Sequence, residues 1–138
     1  MARSAGSVGF PSDAWFEALR AAVADDRELA IFGRWSTLSF ALRVGEDRFL
    51  IRLKEGRIEA VVREPAEGRA ASFTLAGTAR DWNNFLQGWP PPFYNDLQAL
   101  DTRVESFSIE GDRHAFVQHI RTIKRIFRIA RLLGKPVG

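Results

Sequence analysis

The chain has 138 residues, 46% of them hydrophobic and 12% aromatic, and a net charge of +3. That is enough for one domain with a real core, and no apolar run approaches the ~18 residues that a membrane span needs. Cysteine is absent, which excludes disulfides, thiol catalysis and cysteine-bound zinc; the stretch from Met1 to Gly9 lacks the long apolar segment of a secretion signal, so the cytoplasm is the expected address.

Residues 1–10 are small, polar and glycine-rich and are expected to form a flexible N-terminus, with the folded domain spanning 11–138. Pro11-Ser12-Asp13 opens a helix in which Trp15, Phe16, Leu19, Ala22 and Val23 share one face. Leu29 and Ile31 then read as the start of a strand, broken at Gly33. Leu38, Phe40, Leu42 and Val44 alternate with smaller or polar neighbours, as a half-buried strand does. Gly45-Glu46-Asp47 turns the chain into a second strand carrying Phe49, Ile51 and Leu53. Glu55-Gly56 is a two-residue hairpin turn leading to Ile58, Ala60 and Val62. A loop around Pro65 to Arg69 precedes a strand from Ser72 to Ala76.

Thr78-Ala79-Arg80-Asp81 has the form of a capping box, with Thr78 as the cap and Asp81 answering it. The helix that follows puts Trp82, Phe85, Leu86 and Trp89 on one face, and Pro90-Pro91-Pro92 stops it. Pro92 starts a second short helix with Phe93, Leu97 and Leu100, and Val104 to Ile109 form the last strand. From about Arg113 to Leu133 the spacing predicts a helix of roughly 30 Å. Phe116, Ile120, Ile123, Ile126, Phe127, Ala130 and Leu133 fall on one arc of it, and Arg121, Lys124, Arg125, Arg128, Arg131 and Lys135 on the next. Residues 113–138 carry +7 with no acid, leaving −4 for the rest of the chain. Such asymmetry points to an acidic partner or an anionic membrane. The order of elements is that of an α+β domain with helices packed on one face of a mainly antiparallel sheet.

The stretch from Arg80 to Ile109 concentrates large rings in two short helical pieces. Rings this close in sequence either plug one core or line an apolar cavity. The pattern Asp81-Trp82-x-x-Phe85-Leu86-x-Gly88, the proline turn after it, and Ile109-Glu110-Gly111-Asp112 before an amphipathic helix resemble the sterol carrier protein-2 family. The resemblance covers most of the chain by layout and its second half by motif. It implies a five-stranded sheet, a hydrophobic tunnel between sheet and helices, and a sterol, fatty acid or acyl-type lipid as ligand.

On that reading Trp82, Phe85, Trp89, Phe93, Phe116, Ile120 and Phe127 form the wall of the pocket. Arg121, Lys124, Arg125 and Arg128 face an anionic membrane or a ligand headgroup, where each cation near the surface contributes ~1 kcal/mol. The other reading of these cations is a solvated face whose stems cover apolar surface. Nucleic acid is a weaker reading, because no recognition motif accompanies the charge. His114 and His119 lie on different faces of the helix, so no metal site is expected, nor any cofactor. The rival in a different class is an acid–base enzyme, an isomerase or cyclase acting on a steroid- or polyketide-like substrate in the same pocket. Asp81, Asp96, Asp101 or Glu105 would be its base, assisted by Tyr94 or His114. No residue pattern singles out one of these, and no catalytic residue is assigned.

Overall fold

The computed structural model describes residues 9–64 and 71–133. The expected flexible segment up to residue 8, the loop around Pro65 to Arg69, and Lys135 lie outside the described residues. Helix α1 (Asp13–Ala24) begins where Ser12 Oγ accepts from the Trp15 amide at 3.1 Å, and it buries Trp15, Phe16, Leu19 and Val23. A second helix, α2 (Arg27–Phe32), follows at once and runs into a 3₁₀ turn at Gly33–Trp35. The strand expected at Leu29 and Ile31 is thus helical. Asp26 decides this: its Oδ2 accepts from the Leu29 amide at 3.0 Å, a capping bond that offers the next residues a helical start.

Strands β1 (Leu38–Val44), β2 (Asp47–Lys54) and β3 (Arg57–Glu64) form an antiparallel meander through the two predicted turns. Strand β4 (Phe73–Gly77) returns to the other side of β1, and β5 (Ser108–Gly111) pairs with it, giving the order β3-β2-β1-β4-β5. The β1–β4 pair is parallel, so the sheet is mixed rather than wholly antiparallel. The last strand begins at Ser108 instead of Val104, because Val104 still closes the preceding helix by donating to Leu100 O.

The capping box forms as read, with Thr78 Oγ1 accepting from the Asp81 amide and Asp81 Oδ2 from the Thr78 amide. Helix α3 (Ala79–Phe85) is short, and the prolines are followed by a non-helical connector up to Asp96. The second helix, α4 (Leu97–Arg103), therefore starts five residues after Pro92, capped by Asp96. Phe93 has φ 74° in the connector, a conformation costly for a residue with a Cβ.

The C-terminal helix is interrupted at His119, giving α5 (Arg113–Gln118) and α6 (Ile120–Ala130). No helix of the described residues is long and apolar enough to cross a membrane. All helices contribute to one core with the sheet residues Phe40, Leu42, Phe49, Ile51, Phe73 and Leu75. The β2–β3 hairpin tip meets the 3₁₀ turn backbone to backbone. Gly56, at φ 79°, lies so close to Gly33 that a Cβ would stand 2.7 Å from the Gly33 carbonyl carbon.

Candidate functional site

Between the sheet and α3 the rings interlock. Trp82 is fully buried, with centroids 5.6 Å from Phe107, 5.7 Å from Phe127, 5.8 Å from Phe10 and 5.9 Å from Phe85. Its indole nitrogen donates to Arg43 O at 2.9 Å, so the polar end is satisfied at full burial. Phe116 stands edge-on to Phe73 at 5.5 Å, and Phe73 stacks on Phe40. Trp82, Phe85, Phe116 and Phe127 are therefore core residues here, and the space where a tunnel was expected holds ring-to-ring contacts. Ile120 is partly buried against the same core. Trp89 is 92% exposed and Phe93 49%, the latter beneath the Arg103 guanidinium at 5.5 Å. Neither is on the lining of the groove described next, although the connector that carries them contributes Asn95 and Asp96 to it.

An open groove of about 610 Å³ lies instead on the outer side of α6, between it, α2 and the connector. Phe32, Phe85, Leu97, Phe127 and Leu132 are its apolar lining; of these Phe85, Leu97 and Phe127 are buried, Phe32 is partly buried and Leu132 is exposed. Five cations (Arg121, Lys124, Arg125, Arg128 and Arg131) and two carboxylates (Glu28 and Asp96) line it. All four cations picked from the sequence are here, as are Phe85 and Phe127.

The cations differ in what they do. Arg125 spans to α2, meeting Asp26 through two bonds of 2.7 and 3.1 Å and Glu28 at 3.3 Å. Its hydrogen bonds hold the Asp26 carboxyl below the usual carboxylate value, against the opposing effect of burial. Lys124 meets Asp96 at 2.9 Å and Gln98 at 3.1 Å, tying α6 to the start of α4. Arg131 lies over the Phe85 ring at 4.6 Å and donates to Phe85 O, Tyr94 O and Asn95 O. Burial lowers its pKa, with no carboxylate in ion-pair contact among the described residues. Arg121 lies over Phe32 at 4.1 Å. Arg128 is exposed and has no ion-pair or hydrogen-bond partner among the described residues.

A second hollow, of about 380 Å³, adjoins the first across the Arg121–Phe32 pair and reaches the helix interruption. There Ser36 Oγ lies 2.9 Å from His119 Nδ1 and 3.0 Å from Thr122 Oγ1. Burial pushes the His119 imidazole below its ordinary value, which favours the neutral ring.

The carboxylates considered for acid–base work have structural partners. Asp81 accepts from Thr78 N, from Ser106 Oγ at 2.7 Å and from Tyr94 Oη at 3.4 Å. Asp101 is bridged twice by Arg113, which holds its carboxyl below the usual value. Asp96 is paired as above, while Glu105 and His114 are exposed. Among the described residues, no group of acidic and histidine side chains could hold a metal ion.

Sequence reasoning overlooked Phe32 and Leu97 as lining residues and left Arg131 out of the site. Arg131 was findable, since it continues the basic arc three residues beyond Arg128. Phe32 was hidden by the strand reading of the residues before it.

No protein-family model matches the chain, and no curated protein matches it by sequence. Solved structures do match. The crystal structure of sterol carrier protein 2 superposes with a TM-score of 0.68 at 16% identity, covering 87% of this chain and 95% of that one. A conserved hypothetical protein from Thermus thermophilus, itself suggested to be a sterol carrier protein, gives 0.69 at 15% identity, with 97% and 96% covered. A ubiquinone synthesis protein, UbiJ-SCP2, gives 0.56 at 17% identity, with 88% and 89% covered. The α+β arrangement with its five-stranded sheet is the fold of these sterol carrier protein 2 structures.

Proposed function

We propose that this protein binds and carries a hydrophobic small molecule of lipid type in the groove beside α6, with Phe85 and Phe127 from the predicted wall joined by Phe32 and Leu97. The observation that carries the reading is an open groove along one side of a cationic helix, with the partly buried Phe32 and the exposed Leu132 on its lining and the buried side chains of Phe85, Leu97 and Phe127 behind it. At about 610 Å³ the groove falls in the usual range for small-molecule sites. Burying about ten methylenes gains on the order of 8 kcal/mol gross, from which immobilisation removes several. Micromolar affinity is then reasonable without a charged anchor. The fold shared with sterol carrier protein 2 supports the same reading by analogy.

The proposal includes docking on an anionic membrane by the exposed edge of α6. Arg121 and Arg128 supply the charge, and Lys124 adds to it from its place beside Asp96. Arg125 is better understood as a strut, given its two carboxylate partners. Exposed Trp35 and Leu132 share the linings of the two hollows with these cations, and apolar side chains beside cations are what an interfacial surface uses. Displacement of a fluorescent fatty acid tests the ligand reading: saturable binding below about 100 µM is expected, and its absence ends the proposal. Liposome binding tests docking: attachment to phosphatidylserine vesicles should weaken as salt is raised, since exposed charges are screened within ~8 Å at physiological ionic strength.

A further inference from the structure

We infer that the connector between α3 and α4 is the part of this protein that enters a bilayer, with the rings of Trp89 and Phe93 seated among the lipid headgroups. The inference rests on the membrane docking proposed above and adds the segment that inserts.

Trp89 is the most exposed large hydrophobic side chain among the described residues, at 92%, and Phe93 follows it four positions on. The backbone between them is poor in donors. Pro90, Pro91 and Pro92 have no N–H, and the Tyr94 amide already donates to Pro91 O at 3.0 Å. A segment leaving water for lipid is penalised for every amide it leaves unpaired, and three consecutive residues here have none.

Phe93 is held outward under strain. The Tyr94 bond closes a turn from Pro91 to Tyr94, with Pro92 where proline is favoured and Phe93, at φ 74°, where glycine is. Its ring is no part of the core and lies against the Arg103 guanidinium. Behind the rings the connector is fixed: Arg131 donates to Tyr94 O and Asn95 O, and Tyr94 Oη lies 3.4 Å from Asp81 Oδ1. A tip anchored in this way loses little conformational freedom on docking.

The surroundings select a membrane as the partner. Arg103 and Arg128 are exposed and have no ion-pair partner among the described residues, and the next two carboxylates in the chain, Asp96 and Asp101, are paired with Lys124 and Arg113. Gly88, the neighbour of Trp89, shares the groove lining with Arg128 and the exposed Leu132. Aromatic rings beside cations make up an interfacial contact. A domain that reads polyproline grips the prolines themselves, but Pro90 and Pro91 are partly buried while the rings stand out.

The test uses the full chain carrying Trp35→Phe, which leaves Trp89 as the one exposed tryptophan beside the buried Trp15 and Trp82. It is mixed with vesicles of phosphatidylcholine and phosphatidylserine, with and without bromine on the acyl chains. Emission should shift to the blue on binding and be quenched by the brominated lipid. Trp89→Ala, at a position outside the core, should weaken vesicle binding about tenfold and remove both signals. Salt-sensitive binding with no quenching and no effect of Trp89→Ala would overturn the inference and leave docking through α6 standing. No binding to these vesicles would remove the docking reading and the insertion with it. Dimerisation in sedimentation equilibrium that Trp89→Ala abolishes, without quenching by lipid, would give the connector to a second copy of the chain and overturn the inference as well.

Discussion

The interior beneath α3 and the groove beside α6 draw on the same aromatic-rich run, yet one is closed and the other open. Trp82 and Trp89 show the difference most sharply, being seven residues apart, with the first fully buried and the second 92% exposed. Trp82 follows a capping box that fixes where its helix starts, and its N–H meets a strand carbonyl. Trp89 comes after the helix has ended and next to prolines that forbid its resumption. The interior closes by ring-on-ring contact. The groove stays open because its walls are joined by polar links: Arg125 to α2, Lys124 and Arg131 to the connector. Hydrogen bonds at the end of a long side chain hold two backbones apart at a set distance, whereas interdigitated rings draw them together.

The strongest way to break this contrast is to truncate both tryptophans. Trp82→Ala should cost about 3–5 kcal/mol in urea unfolding, as large core deletions do, while Trp89→Ala should stay within about 0.5 kcal/mol. Comparable losses at the two positions would mean that the open region is as tightly packed as the closed one.

Removing a strut is the next largest perturbation. Asp26→Ala should cost about 2–3 kcal/mol at neutral pH, combining charged hydrogen bonds with the α2 cap. Because Arg125 holds the Asp26 carboxyl low in the fold, that contribution is complete above the unfolded value of about 3.9 and is lost as pH falls through the lower folded value. The gap between variant and parent, followed by denaturant titration at several pH values, should therefore close in acid. A gap that persists at the lowest pH would show that α2 is held by something other than this pair.

The smallest expected effect lies at the helix interruption. Burial favours neutral His119, so the unfolded chain binds the extra proton first and stability falls as pH drops below about 6.5. His119→Gln should flatten that part of the stability–pH curve, by about 1 kcal/mol or less. An unchanged slope would assign the acid sensitivity elsewhere.

What could be read from the sequence was what neighbours in the chain decide. The strand at Leu38–Val44, the Glu55-Gly56 turn and the Thr78–Asp81 box all declare themselves within a few residues, and the fold contains each of them, although the strand is buried on both faces at Phe40, Ala41 and Leu42 rather than half-buried. The helical state of Leu29 to Phe32 is of another kind, since its cap, Asp26, is also the partner of Arg125, ninety-nine positions further on. The interruption at His119 likewise involves Ser36, which no helical-wheel argument contains. For the candidate site, the row of cations could be placed on one helix face. Their division into struts and unpaired charges depends on Asp26, Glu28 and Asp96, which arrive from other elements.

The meeting of Gly33 and Gly56 has a bearing beyond the turn in which it occurs. Phe32 and Ser36 ride on the segment that this contact seats, and the Gly56 amide donates to Ser36 O at 2.9 Å. A methyl group at residue 56 would prise that segment off the hairpin and shift one bank of the groove. If the groove holds the ligand proposed for it, affinity would be adjustable by leverage from a loop tip outside the lining, and drift at that tip would retune the protein without altering the lining itself.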